Sequence, residues 1–311
     1  MIWEADGFML NVFASGIFGV IVGDAAGVPY EFKERDSFQC DDMVGWGTHL
    51  LPPGTWSDDS SMTLATMESI VRRGRIDTAD IMGNFDAWLS RAEFTPYDDV
   101  FDVGNATYKA ICRYQQGTEP ELCGGTGERD NGNGALMRIL PLAFVNCSEE
   151  EIFAVCSLTH GHLISKLCCL YYVYVARNIM LGYNKVEALQ FAWQKLADYC
   201  HDMPPEIQTV NGAWNWQRGE VQSSGYVIHT LQAALWCFYN TASYRECILT
   251  AVNLGDDTDT VAAVAGGLAG LYYCLNGKDE SEQIPGEWIA KIARREYIVG
   301  LCNKFAALIN G

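Results

Sequence analysis

The residues best suited to chemistry are acidic and fall in two short clusters far apart in the chain. Ser57-Asp58-Asp59-Ser60 and Asp256-Asp257-Thr258-Asp259-Thr260 each run straight into an apolar, Ala/Gly-rich stretch. Carboxylates this close repel one another and are driven to protonate unless something positive compensates them, and divalent cations with oxygen ligands do this best. The implied chemistry is that of a metal site. A plainer use exists for the first cluster: Ser57 or Asp58 stands where a helix would begin, and hydroxyl or acidic caps are favoured there. Capping needs one such side chain, whereas the second cluster offers three aspartates and two threonines. Asp257 and Asp259, with Thr260 just beyond, can converge on one ion as the backbone enters a helix.

A third element is Gly23-Asp24-Ala25-Ala26-Gly27-Val28-Pro29-Tyr30-Glu31, an apolar helix ending in a Gly/Pro turn that delivers a glutamate. A lone glutamate after a turn is ordinarily solvated surface, and Glu31 gains weight only from the acidic clusters. An all-oxygen ligand set suits Mg2+ or Mn2+ and disfavours zinc. Of the five histidines only His160 and His162 are close in sequence, and Cys156 preceding them has no second thiol pair nearby to complete a zinc pattern.

The elements that must position these residues read as helices. Leu64, Met67 and Val71 share a helical face, and similar faces recur over Ile81 to Leu89, Glu150 to Leu158, Ser165 to Ile179, Val186 to Tyr199, Val227 to Tyr239, Tyr244 to Val252 and Trp288 to Leu301. Few segments alternate as strands do, so the expected fold class is all-α. Repeated glycines in Gly16 to Gly23 and in Ala262 to Gly270 suggest central helices whose backbones pack closely. Irregular segments over Lys33 to Pro53, Cys123 to Gly134 and His201 to Gly225 have the composition of functional loops. In the last of these, Trp214 and Trp216 either line an entrance or anchor the loop to the core.

Composition sets bounds. The 311 residues carry no linker or low-complexity tract, so one domain spanning 1–311 is expected. A hydrophobic content of 49%, with 9 Trp, 15 Tyr and 13 Phe, supplies a large core and excludes disorder. The net charge of -18 argues against general nucleic-acid binding, which needs a basic face. A phosphorylated ligand would have to be held by backbone N–H groups, helix N-termini or metal ions. The 12 cysteines, several of them (Cys168, Cys169, Cys237, Cys274) inside apolar helical runs, read as buried thiols of a cytoplasmic protein. The N-terminus lacks the pattern of a signal peptide. The longest apolar run, Val261 to Leu275, is shorter than the ~20 residues of a spanning helix, so no membrane segment is expected.

Taken together, the three acidic segments resemble the ADP-ribosylglycohydrolase family, which includes dinitrogenase-reductase-activating glycohydrolase and the ADP-ribosylarginine and ADP-ribosylserine hydrolases. The matching residues are Gly23 to Glu31, Ser57-Asp58-Asp59 and Asp257-Thr258-Asp259-Thr260. Phe101-Asp102-Val103-Gly104, Gly132-Asn133-Gly134 with Leu136-Met137-Arg138, Thr159-His160-Gly161-His162 and Ser224-Gly225-Tyr226 match as well. They extend from about residue 13 to the C-terminal helix.

The resemblance implies a compact orthogonal bundle of helices with two Mg2+ or Mn2+ ions in a cleft that receives the distal ribose of ADP-ribose. The implied ligands are Glu31, Ser57, Asp58, Asp59, Asp257, Asp259 and Thr260. Their carboxylates and two divalent ions would leave the site close to neutral. Ser57 stands where the family more often has threonine, and Asp256 where many relatives have glycine. Glu31 is implied as combined ligand and base, with Asp102 positioning the leaving side chain or acting as acid. Gly132, Asn133 and Gly134, as a glycine-rich loop leading into a helix start, are expected to hold the diphosphate through backbone N–H groups. His160 is expected near the ribose or phosphates, or as a packed helix-end residue, and Tyr226 to stack on or hydrogen-bond the ligand.

The implied reaction removes ADP-ribose from a modified protein or small molecule, with arginine on a protein as the leading acceptor. Serine, a nucleic-acid end or O-acetyl-ADP-ribose are alternatives, as is a catalytically silent relative, which would have lost metal ligands. A monomer is the expected state.

Overall fold

The computed structural model describes residues 11–309. Regular structure there is helical: α1 (Val12–Gly27), α2 (Asp58–Arg73), α3 (Thr78–Arg91), α4 (Asn105–Gln115), α5 (Glu149–Ser157), α6 (Leu163–Met180), α7 (Lys185–Tyr199), α8 (Pro205–Gln208), α9 (Val227–Asn240), α10 (Tyr244–Val252), α11 (Thr258–Asn276), α12 (Gly286–Lys291) and α13 (Arg295–Ile309). Among the described residues β pairing is confined to two isolated bridges, Gly125 with His160 and Gly132 with Tyr226. The all-α expectation holds.

The centre is an antiparallel pair of backbones, α1 against α11. A Cβ on Gly19 would stand 2.3 Å from the carbonyl oxygen of Gly266, and one on Gly23 would stand 2.2 Å from that of Ala262. No side chain fits there, so the small residues let the two helices touch through their main chains. The same register carries the C-terminal end of α1 to the start of α11, where a Cβ on Gly27 would meet the Asp259 backbone. The helix pairing thereby brings the first and last chemistry-bearing segments together.

Helix α1 is apolar on all sides, as a helix buried on all sides must be. Val12–Tyr30 is long and apolar enough to cross a membrane by length and composition, yet 94% of that window is buried inside the protein. Ser15 and Asp24 interrupt the stretch, so it does not stand out in the sequence as an unbroken apolar run.

Two expectations are corrected. The helix expected over Trp288 to Leu301 is broken between α12 and α13, where Arg294 takes a left-handed φ of 52°. The break accommodates the extended approach to α2: Ala293 N donates to Gly54 O and Trp56 Nε1 donates to Ala293 O, both at 3.0 Å. The loop at Gly132 to Gly134 does not open an α-helix; it continues in turns through Arg138 into a short 3-10 segment, Leu140–Ala143. Pro141 at its first turn lacks an N–H and disfavours α geometry in the residue before it.

Candidate active site

Three helix ends and two loops build the site. Asp24, fully buried in the last turn of α1, accepts from Ser57 N at 2.9 and 3.0 Å and from Ser60 N at 3.0 Å. The Ser60 hydroxyl adds a bond of 2.5 Å. Asp24 therefore caps α2 from another helix, satisfying first-turn amides that have no partner within their own helix. Ser57, the N-cap residue, accepts from Asp59 N at 3.3 Å. After α1 a single 3-10 turn, Val28–Tyr30, delivers Glu31 into the same space.

The carboxylates do converge. Asp24, Asp59 and Asp259 form one group, and Glu31, Asp102 and Asp259 another; in each the oxygens lie within 4.8 Å of one another. Asp259 belongs to both. Asp59 Oδ2 and Asp259 Oδ2 are buried with no hydrogen-bond partner among the described residues. Unpaired buried carboxylate oxygens are costly, and a cation is the group that would satisfy them. The donors are all oxygen, which fits a hard divalent ion.

Electrostatics point the same way. Burial, then the neighbouring carboxylates, push Asp58, Asp59 and Asp259 well above the usual carboxylate range. Burial raises Asp257 too, against the pull of a hydrogen bond from Asn133. Glu31 is raised to about 7 by burial, opposed by its hydrogen bond with His49. A bound divalent ion would reverse this, because its charge favours the ionised form.

A cavity of about 420 Å³ opens over this cluster, and its lining includes Glu31, Asp58, Asp102, Asp257, Thr260 and His160. Asp59 and Asp259 lie beneath it, fully buried. Gly132 and Gly134 form part of the wall. Asn133 is committed to the protein, donating to Asp257 Oδ2 at 2.8 Å. Tyr226 contributes backbone pairing with Gly132, and its ring packs edge-on against His229 at 5.0 Å. Asp256 is exposed with a φ of 59°, and its backbone ties to Phe32 and Lys33. Trp214 and Trp216 anchor their loop, their carbonyls accepting from Asn240 and Trp236 on α9.

Two participants escape the sequence reading. Asp24 lies within the segment Gly23 to Glu31, but a cap reaching 33 residues along the chain leaves no local pattern. His49 sits in the irregular segment before α2, with Nε2 2.5 Å from Glu31 Oε2 and its ring 5.1 Å from that of Phe101. Its pKa is raised by the Glu31 carboxylate. The only available signal is a histidine in a loop flanked by acidic segments.

Comparison with known proteins decides the family. Residues 10–311 match the family described as ADP-ribosylglycohydrolase. The chain belongs to that family. As an ADP-ribosylglycohydrolase it is 34% identical to the ADP-ribosylarginine hydrolase Tri1 of Pseudomonas putida (strain GB-1), over 93% of this chain and 76% of that protein. It is 31% identical to the ADP-ribosyl-[dinitrogen reductase] glycohydrolase of Rhodospirillum rubrum, over 90% of each. A solved structure titled "ADP-ribosylglycohydrolase-related protein complex" superposes with a TM-score of 0.80 at 31% identity, covering 96% of this chain and 98% of that one. The chain is thus an enzyme of the ADP-ribosylglycohydrolase class, with acidic groups able to bind metal.

Proposed function

We propose that this ADP-ribosylglycohydrolase hydrolyses the bond between ADP-ribose and an arginine side chain of a protein, with two Mg2+ or Mn2+ ions as cofactors. The observation that carries this reading is the convergence of Glu31 and Asp102, which line an open cavity, with the buried Asp259. Support for the acceptor comes from the similarity to Tri1 and to the dinitrogen reductase glycohydrolase.

Glu31, Ser57, Asp58, Asp59, Asp257, Asp259 and Thr260 would hold the ions. When bound, the ions supply positive charge that orients ribose hydroxyls and lowers the pKa of water. The acidic walls favour the oxocarbenium-like character that develops at the anomeric carbon as the C–N bond breaks. Glu31, oriented by His49, accepts the proton of the attacking water. Asp102 faces the departing guanidino group and supplies or steadies its proton. Asn133 keeps Asp257 in place, so its contribution to the ligand is indirect, whereas Gly132 and Gly134 leave the wall low enough for the diphosphate.

The acceptor is tested by measuring ADP-ribose release from arginine-, serine- and DNA-end-linked substrates in one assay with Mn2+ present. Fastest release from the arginine linkage is expected. Preference for either other linkage would assign the same site to a different acceptor, and no release from any would leave a silent relative.

A further inference from the structure

We propose that Thr159, oriented by the buried guanidinium of Arg138, fixes His160 as a neutral imidazole carrying its proton on Nε2, a permanent hydrogen-bond donor to an oxygen of the ADP-ribosyl ligand. The ligand half of this statement rests on the function proposed above; the tautomer half does not.

Arg138 is fully buried, its guanidinium lying 4.6 Å from the centre of the Phe85 ring. No carboxylate pairs with it among the described residues. Its Nη2 donates to Val155 O at 3.2 Å and to Thr159 Oγ1 at 2.8 Å, while Nε and Nη1 have no partner there. A fully buried cation with two idle donors is a poor way to stabilise a core, and an apolar side chain of similar length would fill the space. What the guanidinium does accomplish is to settle a direction. It has donors only, so Thr159 Oγ1 must accept from it.

The threonine hydroxyl then has its own hydrogen to give. His160 Nδ1 stands 2.8 Å from Thr159 Oγ1, and no other acceptor for that hydroxyl is present among the described residues. Donation from Thr159 makes Nδ1 an acceptor. A proton on Nδ1 would instead aim a second N–H at an oxygen already receiving one, with the Arg138 charge behind it. A neutral imidazole with Nδ1 accepting carries its hydrogen on Nε2. Burial and the Arg138 charge also hold the His160 pKa down at about 3, so the ring stays neutral.

An independent feature marks Nε2 as the working atom. His160 lines the cavity, and a Cβ on Gly132 would lie 3.2 Å from Nε2 while one on Gly134 would lie 2.9 Å from Cε1. Glycine at these positions lets the loop backbone lie against the edge of this buried ring, and a side chain there would crowd Nε2 and Cε1 where the ring lines the cavity. Elsewhere in the lining, Glu31, Asp102 and Asp257 offer only acceptors when ionised. His160 adds a neutral donor to that lining. Arg138 and Thr159 act through His160 and are positioning residues.

The test is a long-range proton–nitrogen NMR correlation on metal-free protein with 15N-labelled histidine, combined with calorimetric titration of ADP-ribose into metal-loaded protein. Wild type should show the Nε2–H tautomer for His160, unchanged between about pH 5 and pH 8 because both lie above its depressed pKa. The near-isosteric Thr159→Val should convert it to a mixture or to the Nδ1–H form and weaken ADP-ribose binding about tenfold, the scale of one buried hydrogen bond. Thr159→Ser should restore both. An Nδ1–H or doubly protonated His160 in wild type overturns the tautomer assignment without needing any variant, as does an unchanged tautomer in folded Thr159→Val. A tautomer that follows Thr159 while ADP-ribose affinity stays constant overturns the ligand contact. Absence of ADP-ribose binding to wild type defeats the functional reading and the ligand half together, and the NMR result still decides the tautomer.

Discussion

Asn133 Nδ2 donates 2.8 Å to Asp257 Oδ2 and 2.9 Å to Thr230 Oγ1, tying the glycine-flanked loop and α9 to the carboxylate that opens α11. A buried amide used this way fixes where the carboxylate points. Groups that orient metal ligands typically matter roughly 10- to 100-fold in metal affinity, and Asn133→Ala should weaken Mn2+ binding by that order. Calorimetric titration of Mn2+ measures it; unchanged affinity would remove Asp257 from the ligand set.

Asp24 should matter through α2. Asp24→Asn replaces an acceptor oxygen with an NH2 group facing donors on Ser57 and Ser60. Loss of a helix cap costs about 1–2 kcal/mol, and the mispaired donors add to that. Lower denaturant midpoints together with weaker Mn2+ binding are expected. A variant with full stability and affinity would show that α2 holds its start without this cap.

The α1–α11 contact is tested by adding single methyl groups. Gly23→Ala places a carbon 2.2 Å from the Ala262 carbonyl oxygen, where backbone must move, so a destabilisation of at least about 1–3 kcal/mol is expected. Gly300→Ala, with nothing within 4 Å of the added carbon on α13, should be neutral or stabilising by up to about 1 kcal/mol. Chemical denaturation of the two variants side by side gives the comparison, and equal stabilities would contradict the close approach.

Stability should fall with rising pH in the absence of metal, and metal should offset that fall. Burial raises Glu31 to about 7 and Asp24 to about 6, and lifts Asp58, Asp59 and Asp259 as well. The folded metal-free protein thus holds protons more tightly than the unfolded chain, an advantage present below the ordinary carboxylate range of roughly 4 and lost as pH rises through about 7. Metal-free protein should melt at a lower temperature at about pH 8 than at about pH 5. Added Mn2+ should raise the melting temperature more at the higher pH, where it replaces protons as the neutralising charge. A melting temperature that rises with pH in chelated protein would show that the carboxylates are already compensated from within.

Much of this arrangement is legible in the amino-acid sequence. Clustered acids at helix starts keep their direction in three dimensions because the helix sets it, and Asp58, Asp59, Asp257 and Asp259 come to one region of the protein. The glycines of α1 and α11 announce backbone contact because little else explains glycine within a helix. Asp24 and His49 are hidden for a shared reason: their partners lie far along the chain or across a loop, and no periodicity records such a pairing. The α12–α13 break is hidden because the apolar spacing runs unbroken across it, while the segment before α2 decides it from outside. Asn133 reads in the sequence as a ligand contact and in the structure holds a carboxylate, since a loop residue's spacing does not say which neighbour its amide will find.

The proposed function requires these acids to gather divalent metal and support the cleavage of ADP-ribosylarginine. The most direct measurement follows ADP-ribose release from ADP-ribosylarginine by exhaustively chelated protein, before and after Mn2+ is added, alongside Asp257→Ala with its helical circular dichroism verified. Release that is absent under chelation, restored by Mn2+ in wild type and not restored in the variant is the predicted result. Release that persists without metal, or Asp257→Ala turning over at the wild-type rate, would contradict the account.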